Sequence, residues 1–128
     1  MKKQDLPLSP HLQIYKPQIT SILSITHRIT GFSLNFSLLI FVIGLLCITL
    51  GEEYYLFFKY LLNTIPVKII LYFTILGFSF HLLNGLRHIF WDFGFFLENK
   101  SSAVLGYLIL FFSLIISTMI SVYSGLFI

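Results

Sequence analysis

The chain has 128 residues, of which 57% are hydrophobic and 10% are charged, and its formal net charge is +3. Soluble domains carry about 25% charged residues, so this composition excludes an ordinary water-soluble domain. The few positive charges are scattered along the chain, which excludes a nucleic-acid-binding surface and favours contact with anionic lipid at a membrane. The length suffices for one domain, residues 1–128.

The amino-terminal segment contains prolines at positions 7, 10 and 17. Proline disfavours a helix interior and holds the residue before it in an extended conformation, so we predict a surface segment over residues 1–17. Proline suits a first helical turn, and a first helix is therefore predicted over about 18–50. Within it, the 22 uncharged residues from Ile29 to Leu50 would span roughly 33 Å, enough to cross a hydrocarbon core about 30 Å thick.

Two further uncharged stretches, Ile69 to Leu86 and Ser101 to Ile128, predict helices over about 67–92 and 102–127. The predicted fold is therefore all-α, an integral membrane bundle of three transmembrane helices. Lysine and arginine are concentrated on the side of the amino terminus and the second loop, which places the amino terminus inside. Six lie on that side and two on the other: Lys2, Lys3, Lys16, Arg28, Arg87 and Lys100 against Lys59 and Lys68.

Polar and small residues within the first two predicted spans follow helical spacing. The first span carries Ser24, Arg28, Gly31 and Asn35, and the second carries Gly77, His81, Asn84 with Gly85, and His88. Steps of three and four residues gather each set on one face of its helix. Small residues in such rows let helices approach closely, so packing explains the glycines and Ser24 as well as a binding site does.

His81 is harder to explain by packing, because it lies six residues before Arg87 and hence about 9 Å inside the predicted inner interface. Such an imidazole needs a hydrogen-bond partner on a neighbouring helix, a role in proton relay, or a metal centre. Haem suits a lone imidazole, since the porphyrin supplies four ligands and leaves the axial positions to the protein. Arg28 and His88 lie at the same predicted membrane face, where they could pair with haem propionates.

Two motifs resemble signatures of the succinate dehydrogenase cytochrome b subunit. The first comprises Pro7 to Tyr15 (PLSPHLQIY) followed by Ser24 to Gly31 (SITHRITG). The second runs from His81 to Gly94 (HLLNGLRHIFWDFG). Together with the length and the three predicted spans, the resemblance covers nearly the whole chain.

This resemblance implies a role for particular residues. His81 would be an axial ligand of haem b, and a partner membrane subunit would supply the other axial ligand. Ser24 and Arg28 would line a ubiquinone site, and Arg28 and His88 would lie near the haem propionates. His27 would approach the haem or pack beside it.

The resemblance also implies the function of a haem b-binding anchor of succinate:ubiquinone oxidoreductase. Such a subunit is itself non-catalytic and docks an iron–sulfur subunit and a flavoprotein subunit beside a second hydrophobic anchor. It would lie in the mitochondrial inner membrane or the bacterial cytoplasmic membrane. We interpret Arg87, Trp91 and Asp92 as anchors at the membrane interface. The alternatives are a membrane scaffold or transport subunit without haem, which would use His81 and Arg28 as a buried polar pair, and a haem-free anchor of fumarate reductase type.

Overall fold

Helices account for the regular secondary structure of residues 16–127, the part of the chain that the computed structural model describes. In chain order they are α1 (Ile19–Leu50), α2 (Glu52–Leu62), α3 (Ile65–Asp92) and α4 (Asn99–Tyr123). Apart from Lys16 and Pro17, the predicted surface segment 1–17 lies outside the described residues.

Three of these helices are long and apolar enough to cross a membrane, so the predicted all-helical fold with three spans is confirmed. They are α1 with 32 residues, α3 with 28 and α4 with 25. Helix α3 begins at Ile65 with Pro66 in its first turn, where the missing amide hydrogen costs no helical bond. Helix α4 ends at Tyr123, before the predicted 127, because the chain turns there through Gly125, whose φ is +70°.

The helix α2 was not predicted, because its segment was expected to be a loop. Gly51 makes the turn between α1 and α2. Its φ of +122° is a backbone conformation that residues other than glycine rarely adopt. Glu52 and Glu53 occupy the first turn of α2 and Lys59 its last turn, so the charges complement the helix dipole. The ring of Phe58 packs against Gly44 of α1, where an added Cβ would lie 2.9 Å from the ring.

Small side chains make up most of the buried side of α4, where Gly106 faces Leu23 of α1. The buried positions of α4 recur at steps of three and four residues and are Ser102, Gly106, Ile109, Ser113, Ser117 and Ser121. In lipid, where hydrophobic burial cannot drive helices together, small residues favour association because they allow close packing. The hydroxyls of Ser113, Ser117 and Ser121 donate to carbonyls of their own helix, so none of the three needs a partner across the contact.

The polar residues of α3 face two neighbouring helices, α1 and α4, whereas the sequence predicted that they share a single face. His81 and Gly85 lie against α1, where they contact Gly31 and His27. Asn84 instead accepts a hydrogen bond from Arg87, which in turn bonds Ser102 of α4. Asn84 precedes Gly85 by one residue, a rotation of about 100° around the helix, and this rotation separates the two faces.

Candidate functional site

Three imidazole rings meet where α1 packs against α3. The rings of His27 and His81 are stacked, with centroids 4.0 Å apart and planes 7° from parallel. The ring of His88 lies 5.2 Å from that of His27. His81 and His88 are seven residues apart on α3 and therefore share one face, and His27 of α1 contacts both.

The backbone of α1 fixes the orientation of the His81 ring. Its Nδ1 atom lies 3.1 Å from the carbonyl oxygen of His27 and 3.3 Å from the hydroxyl of Thr30. A carbonyl oxygen accepts but never donates, so Nδ1 carries the hydrogen and donates it to His27. The lone pair of the neutral ring is therefore on Nε2. Histidines that bind metals have this arrangement, in which the second ring nitrogen donates to a carbonyl and holds the first in place.

Gly31 provides the space that the His81 ring occupies. A Cβ at position 31 would lie 2.8 Å from Cε1 and 3.4 Å from Nδ1 of His81. Real Cβ atoms hardly ever approach another atom as closely as 2.8 Å. Gly31 was predicted as a packing residue, and the structure shows that the residue it packs against is His81.

The donor set suits a haem better than a bare metal ion. Within residues 16–127, no three or more His, Cys, Asp or Glu side chains are grouped to hold an ion by themselves. A porphyrin needs only axial protein ligands, and Nε2 of His81 is the type of atom that serves. Two further nitrogens beside the cluster, Nδ1 of His27 and Nε1 of Trp91, are buried and have no hydrogen-bond partner among the described residues. The Trp91 ring stands edge-on to His88, 5.0 Å away, and its N–H can only donate.

Ser24 and Arg28 lie beside this cluster without joining it. Ser24 is half-buried and Arg28 is exposed. Neither forms a hydrogen bond, ion pair or ring contact with another described residue. Arg28 follows His27 in the sequence, so its side chain leaves α1 about 100° around the helix from the imidazole that contacts α3. The structure therefore brings His27, His81 and His88 together, whereas Ser24 and Arg28 form no hydrogen bond or ring contact with them.

Arg87 is buried inside the bundle, so its interpretation as an interface anchor is wrong. Its exposed fraction is 1%. It donates to the hydroxyl of Ser102 at 2.8 Å, to the carbonyl of Ser102 at 3.1 Å and to Oδ1 of Asn84 at 3.3 Å. The guanidinium also lies over the Trp91 ring, 4.2 Å from its centroid. Trp91 is half-buried in this contact, and Asp92 is exposed.

Three of these features were not predicted from the sequence. The spacing of Asn84, Arg87 and Trp91, at steps of three and four residues, was a signal that they share a face of α3. No sequence signal identified Ser102 as the partner of Arg87, because the two are joined only by the packing of α3 on α4. The stacking of His27 on His81 likewise depends on how α1 and α3 are rotated relative to each other.

Comparison with known proteins gives consistent matches over this region. The family model described as succinate dehydrogenase/fumarate reductase transmembrane subunit matches residues 2–120. The chain is 44% identical over 115 residues to the succinate dehydrogenase cytochrome b560 subunit of Marchantia polymorpha, covering 85% of this chain and 83% of that protein. It is 37% identical over 114 residues to the succinate dehydrogenase cytochrome b556 subunit of Rickettsia prowazekii (strain Madrid E), covering 89% of each. The cytochrome b560 subunit of Reclinomonas americana is 40% identical over 109 residues.

Proposed function

The chain belongs to the family of succinate dehydrogenase and fumarate reductase transmembrane subunits, and from this premise we propose that it binds haem b and forms part of a quinone-reduction site. Family membership confirms the resemblance of the two sequence motifs and makes the chain a cytochrome b membrane anchor of succinate dehydrogenase. The observation that carries the haem proposal is the hydrogen bond from Nδ1 of His81 to the carbonyl of His27.

His81 is the proposed axial ligand, through Nε2. A haem held by His81 would need a second protein ligand to be six-coordinate. His27 cannot take that position, because its ring is stacked face to face on the His81 ring. We therefore assign the second ligand to a partner membrane subunit. When bound, the haem supplies an iron centre that can accept and release one electron.

The residues nearest the histidine cluster would hold the haem propionates. His88 and Arg28 were predicted for this role, and the buried N–H of Trp91 adds a donor without a partner among the described residues. A carboxylate is an acceptor that would satisfy it. Burial of an unpaired donor costs free energy, so an arriving carboxylate would be favoured there. His27 would pack beside the haem and hold His81 through its carbonyl.

Ser24 and Arg28 are the proposed quinone-binding residues. They are four residues apart and therefore neighbours on one side of α1. Both are free of hydrogen bonds to other described residues, so each is available to a ligand. The hydroxyl of Ser24 would donate to a quinone carbonyl. The guanidinium of Arg28 would stabilise the negative charge that the quinone oxygens acquire as electrons arrive.

The surface of α1 supports the presence of a second membrane subunit. Arg28 and Asn35 are exposed on a helix that crosses the membrane. The amide of Asn35 donates only to carbonyls of its own helix. Polar groups at this depth are costly in lipid and normally face protein, water or a cofactor. A second hydrophobic anchor subunit would cover them and bring its own haem ligand.

The rest of the reaction would belong to the soluble partners. Electrons from succinate would pass from a flavoprotein subunit through an iron–sulfur subunit to ubiquinone beside the membrane. We propose that both dock at the end of the bundle that carries the histidine cluster, on the inner side with the amino terminus. This chain would itself be non-catalytic, supplying the anchor, one haem ligand and one wall of the quinone site.

The reduced absorption spectrum of the purified complex tests the haem assignment. His81→Ala should abolish or weaken the low-spin haem bands, and added imidazole should partly restore them by entering the vacated space. His11→Ala is the control, because that histidine lies in the predicted surface segment. Equal spectra for the two variants would refute His81 as the ligand. A parent complex with no haem bands would instead favour a haem-free anchor of fumarate reductase type, which the family model also includes.

A further inference from the structure

A groove lies between α1, α2 and α3, at the end of the bundle away from the histidine cluster. Helix α2 turns back at Gly51 and runs beside the last turns of α1, where Phe58 packs on Gly44. The volume of this three-helix groove is about 440 Å³, within the range of about 300–1,000 Å³ that is usual for small-molecule sites. Its walls include Gly44 and Ile48 of α1, Tyr55 and Lys59 of α2, and Leu71 and Thr74 of α3.

The floor of the three-helix groove is apolar in character although it contains two hydroxyls. Ser37 donates to the carbonyl of Leu34 at 2.7 Å, and Thr74 donates to the carbonyl of Ile70 at 2.9 Å. Because both hydrogens are used by their own helices, the floor offers no hydroxyl hydrogen to an occupant. Such a floor suits a hydrocarbon chain.

The groove is also long enough for such a chain. An adjoining hollow of about 380 Å³ shares Ser37 and Thr74 with it and reaches Thr30. Gly44 and Thr30 are fourteen residues apart on α1, which corresponds to about 21 Å. Half of a hydrocarbon core is about 15 Å thick. One acyl chain of a membrane lipid therefore fits along the groove.

Lys59 adds a positive charge to the wall of the groove. Its side chain is exposed and forms no ion pair or hydrogen bond with another residue of the range 16–127. Tyr55, one turn earlier on α2, lines the same groove, and its hydroxyl can donate. Helix α3 begins at Ile65, six residues after Lys59, so the ammonium lies near the end of a membrane span, at the level of the lipid headgroups. Glu52 is seven residues from Lys59, roughly 10 Å along α2, and charges this far apart in water are largely screened.

The groove lies on the side of α1 opposite its exposed polar residues. Ser37 follows Arg28 by nine residues, and Gly44 follows Asn35 by nine. Nine residues of an α-helix make about two and a half turns, so the members of each pair project on opposite sides of α1. The second membrane subunit proposed above covers Arg28 and Asn35. On that proposal the groove is left open to lipid.

We propose that the three-helix groove binds one membrane phospholipid with an anionic headgroup. An acyl chain lies along the floor from Gly44 past Ser37, and the phosphate accepts hydrogen bonds from Lys59 and Tyr55. A zwitterionic headgroup offsets its phosphate with its own cation, so the ammonium selects against it. One lysine at a membrane surface favours an anionic lipid by about fivefold.

Photo-crosslinking of the intact complex in phosphatidylcholine bilayers tests this site. The probe is phosphatidylglycerol that carries a diazirine on its acyl chain. We expect crosslinks in residues 37–48 and 55–62, which excess phosphatidylglycerol removes and excess phosphatidylcholine does not. Lys59→Gln should lower the yield about fivefold, and Lys59→Arg should retain it. Lys100→Gln is the control, because that lysine is exposed at the other end of the bundle and its loss should leave the yield unchanged.

A second pair of variants tests the place of the acyl chain. Ser37→Leu should reduce crosslinking, because the larger side chain fills the floor. Ser37→Ala also removes the hydroxyl but adds no volume, so it should retain the parent yield. Both variants should keep quinone reductase activity, since position 37 projects on the opposite side of α1 from Arg28.

Four results would overturn the proposal. Equal yields for the phosphatidylglycerol probe and a matching phosphatidylcholine probe would show that the groove does not select the headgroup. An unchanged yield in Lys59→Gln would show that its charge is not used. Displacement of the probe by ubiquinone instead of phosphatidylglycerol would make the groove a quinone site. Absence of crosslinks in both ranges would show that protein covers it.

Discussion

The tautomer of His81 is determined by a group that belongs to another helix. The carbonyl of His27 accepts from Nδ1, and the hydroxyl of Thr30 donates to the same carbonyl at 2.9 Å. The ring is also confined by Gly31 on one side and by the stacked ring of His27. A side chain held by two contacts and a hydrogen bond cannot adjust freely when its surroundings change.

Gly31→Ala should therefore disturb the haem site although it changes no ligand. The added methyl group would lie 2.8 Å from the His81 ring, so the ring or α1 must shift. We expect a shifted or weakened low-spin haem spectrum. Gly77→Ala is the matched control, because its Cβ would meet only Thr30 at an ordinary 3.8 Å. That variant should retain the parent spectrum and gain about 0.5–1 kcal/mol in helix stability. Equal spectra for the two alanine variants would contradict the steric account.

Ser24→Ala separates the quinone site from the haem site. Because its hydroxyl has no partner among the described residues, we expect a higher quinone KM or slower quinone reduction and an unchanged haem spectrum. Ser33→Ala on the same helix is the control, since that hydroxyl already donates to the carbonyl of Ile29 at 2.8 Å. Succinate oxidation with a soluble acceptor should survive in both. If quinone kinetics are unchanged in Ser24→Ala, the residue packs and does not bind.

Among the helices, α3 and α4 are joined by the guanidinium of Arg87, which is buried between them. Arg87 spans the contact with two hydrogen bonds to Ser102 and rests on Trp91. No carboxylate pairs with it within residues 16–127. The planar guanidinium is suited to this position, because its fixed fork reaches several acceptors at once while its face stacks on a ring.

Arg87→Lys should lower the thermal stability of the purified complex, although the charge is kept. An ammonium group cannot reproduce both the fork and the stacking, and a lost buried hydrogen bond to a charged group costs about 1.5–3 kcal/mol. Lys59→Arg is the control, since that side chain is exposed and a surface exchange normally changes stability by less than about 0.5 kcal/mol. The midpoint of thermal unfolding, monitored through the release of haem, measures the difference. Equal midpoints would show that the fork geometry is unimportant.

The sequence predicted the three spans because each contains a long uncharged stretch. It failed to predict α2 because this eleven-residue helix carries Glu52, Glu53 and Lys59 and therefore contains no such stretch. It assigned Arg87 to the interface because a cation near the end of a span usually lies there. The actual partner, Ser102, is fifteen residues away and is identified only by packing. The spacing of His81 and His88 predicted a shared face, whereas the stacking of His27 required the relative rotation of two helices.

As a whole molecule, the chain has little interior of its own. The buried hydrophobic residues among those described are Leu23, Phe80 and Ile109. Most of the other large apolar side chains face outward, as expected for a bundle in lipid. Exposed polar residues on α1 interrupt that apolar surface. Such a surface is suited to assembly, because its apolar part is compatible with lipid and its polar part on α1 needs a protein partner.

Membrane extraction should therefore yield this chain in a hetero-oligomer with one further hydrophobic chain and two soluble chains. Because the proposed haem site takes one axial ligand from this chain and one from its partner, haem should be retained only when the second membrane chain is present. Native mass spectrometry of the extract measures the composition, and expression of this chain by itself serves as the comparison. A stable monomer or homodimer with full haem occupancy would contradict this assembly.

The serine row of α4 has a consequence for how freely this helix can change. The hydroxyls of Ser113, Ser117 and Ser121 are already used by their own helix, so what α3 meets at these positions is a volume rather than a chemical group. The packing of this helix therefore depends on the size of these side chains, and alanine, glycine and serine should be nearly interchangeable at these positions. A single branched side chain there would weaken the helix contact, since it would hold the two backbones apart.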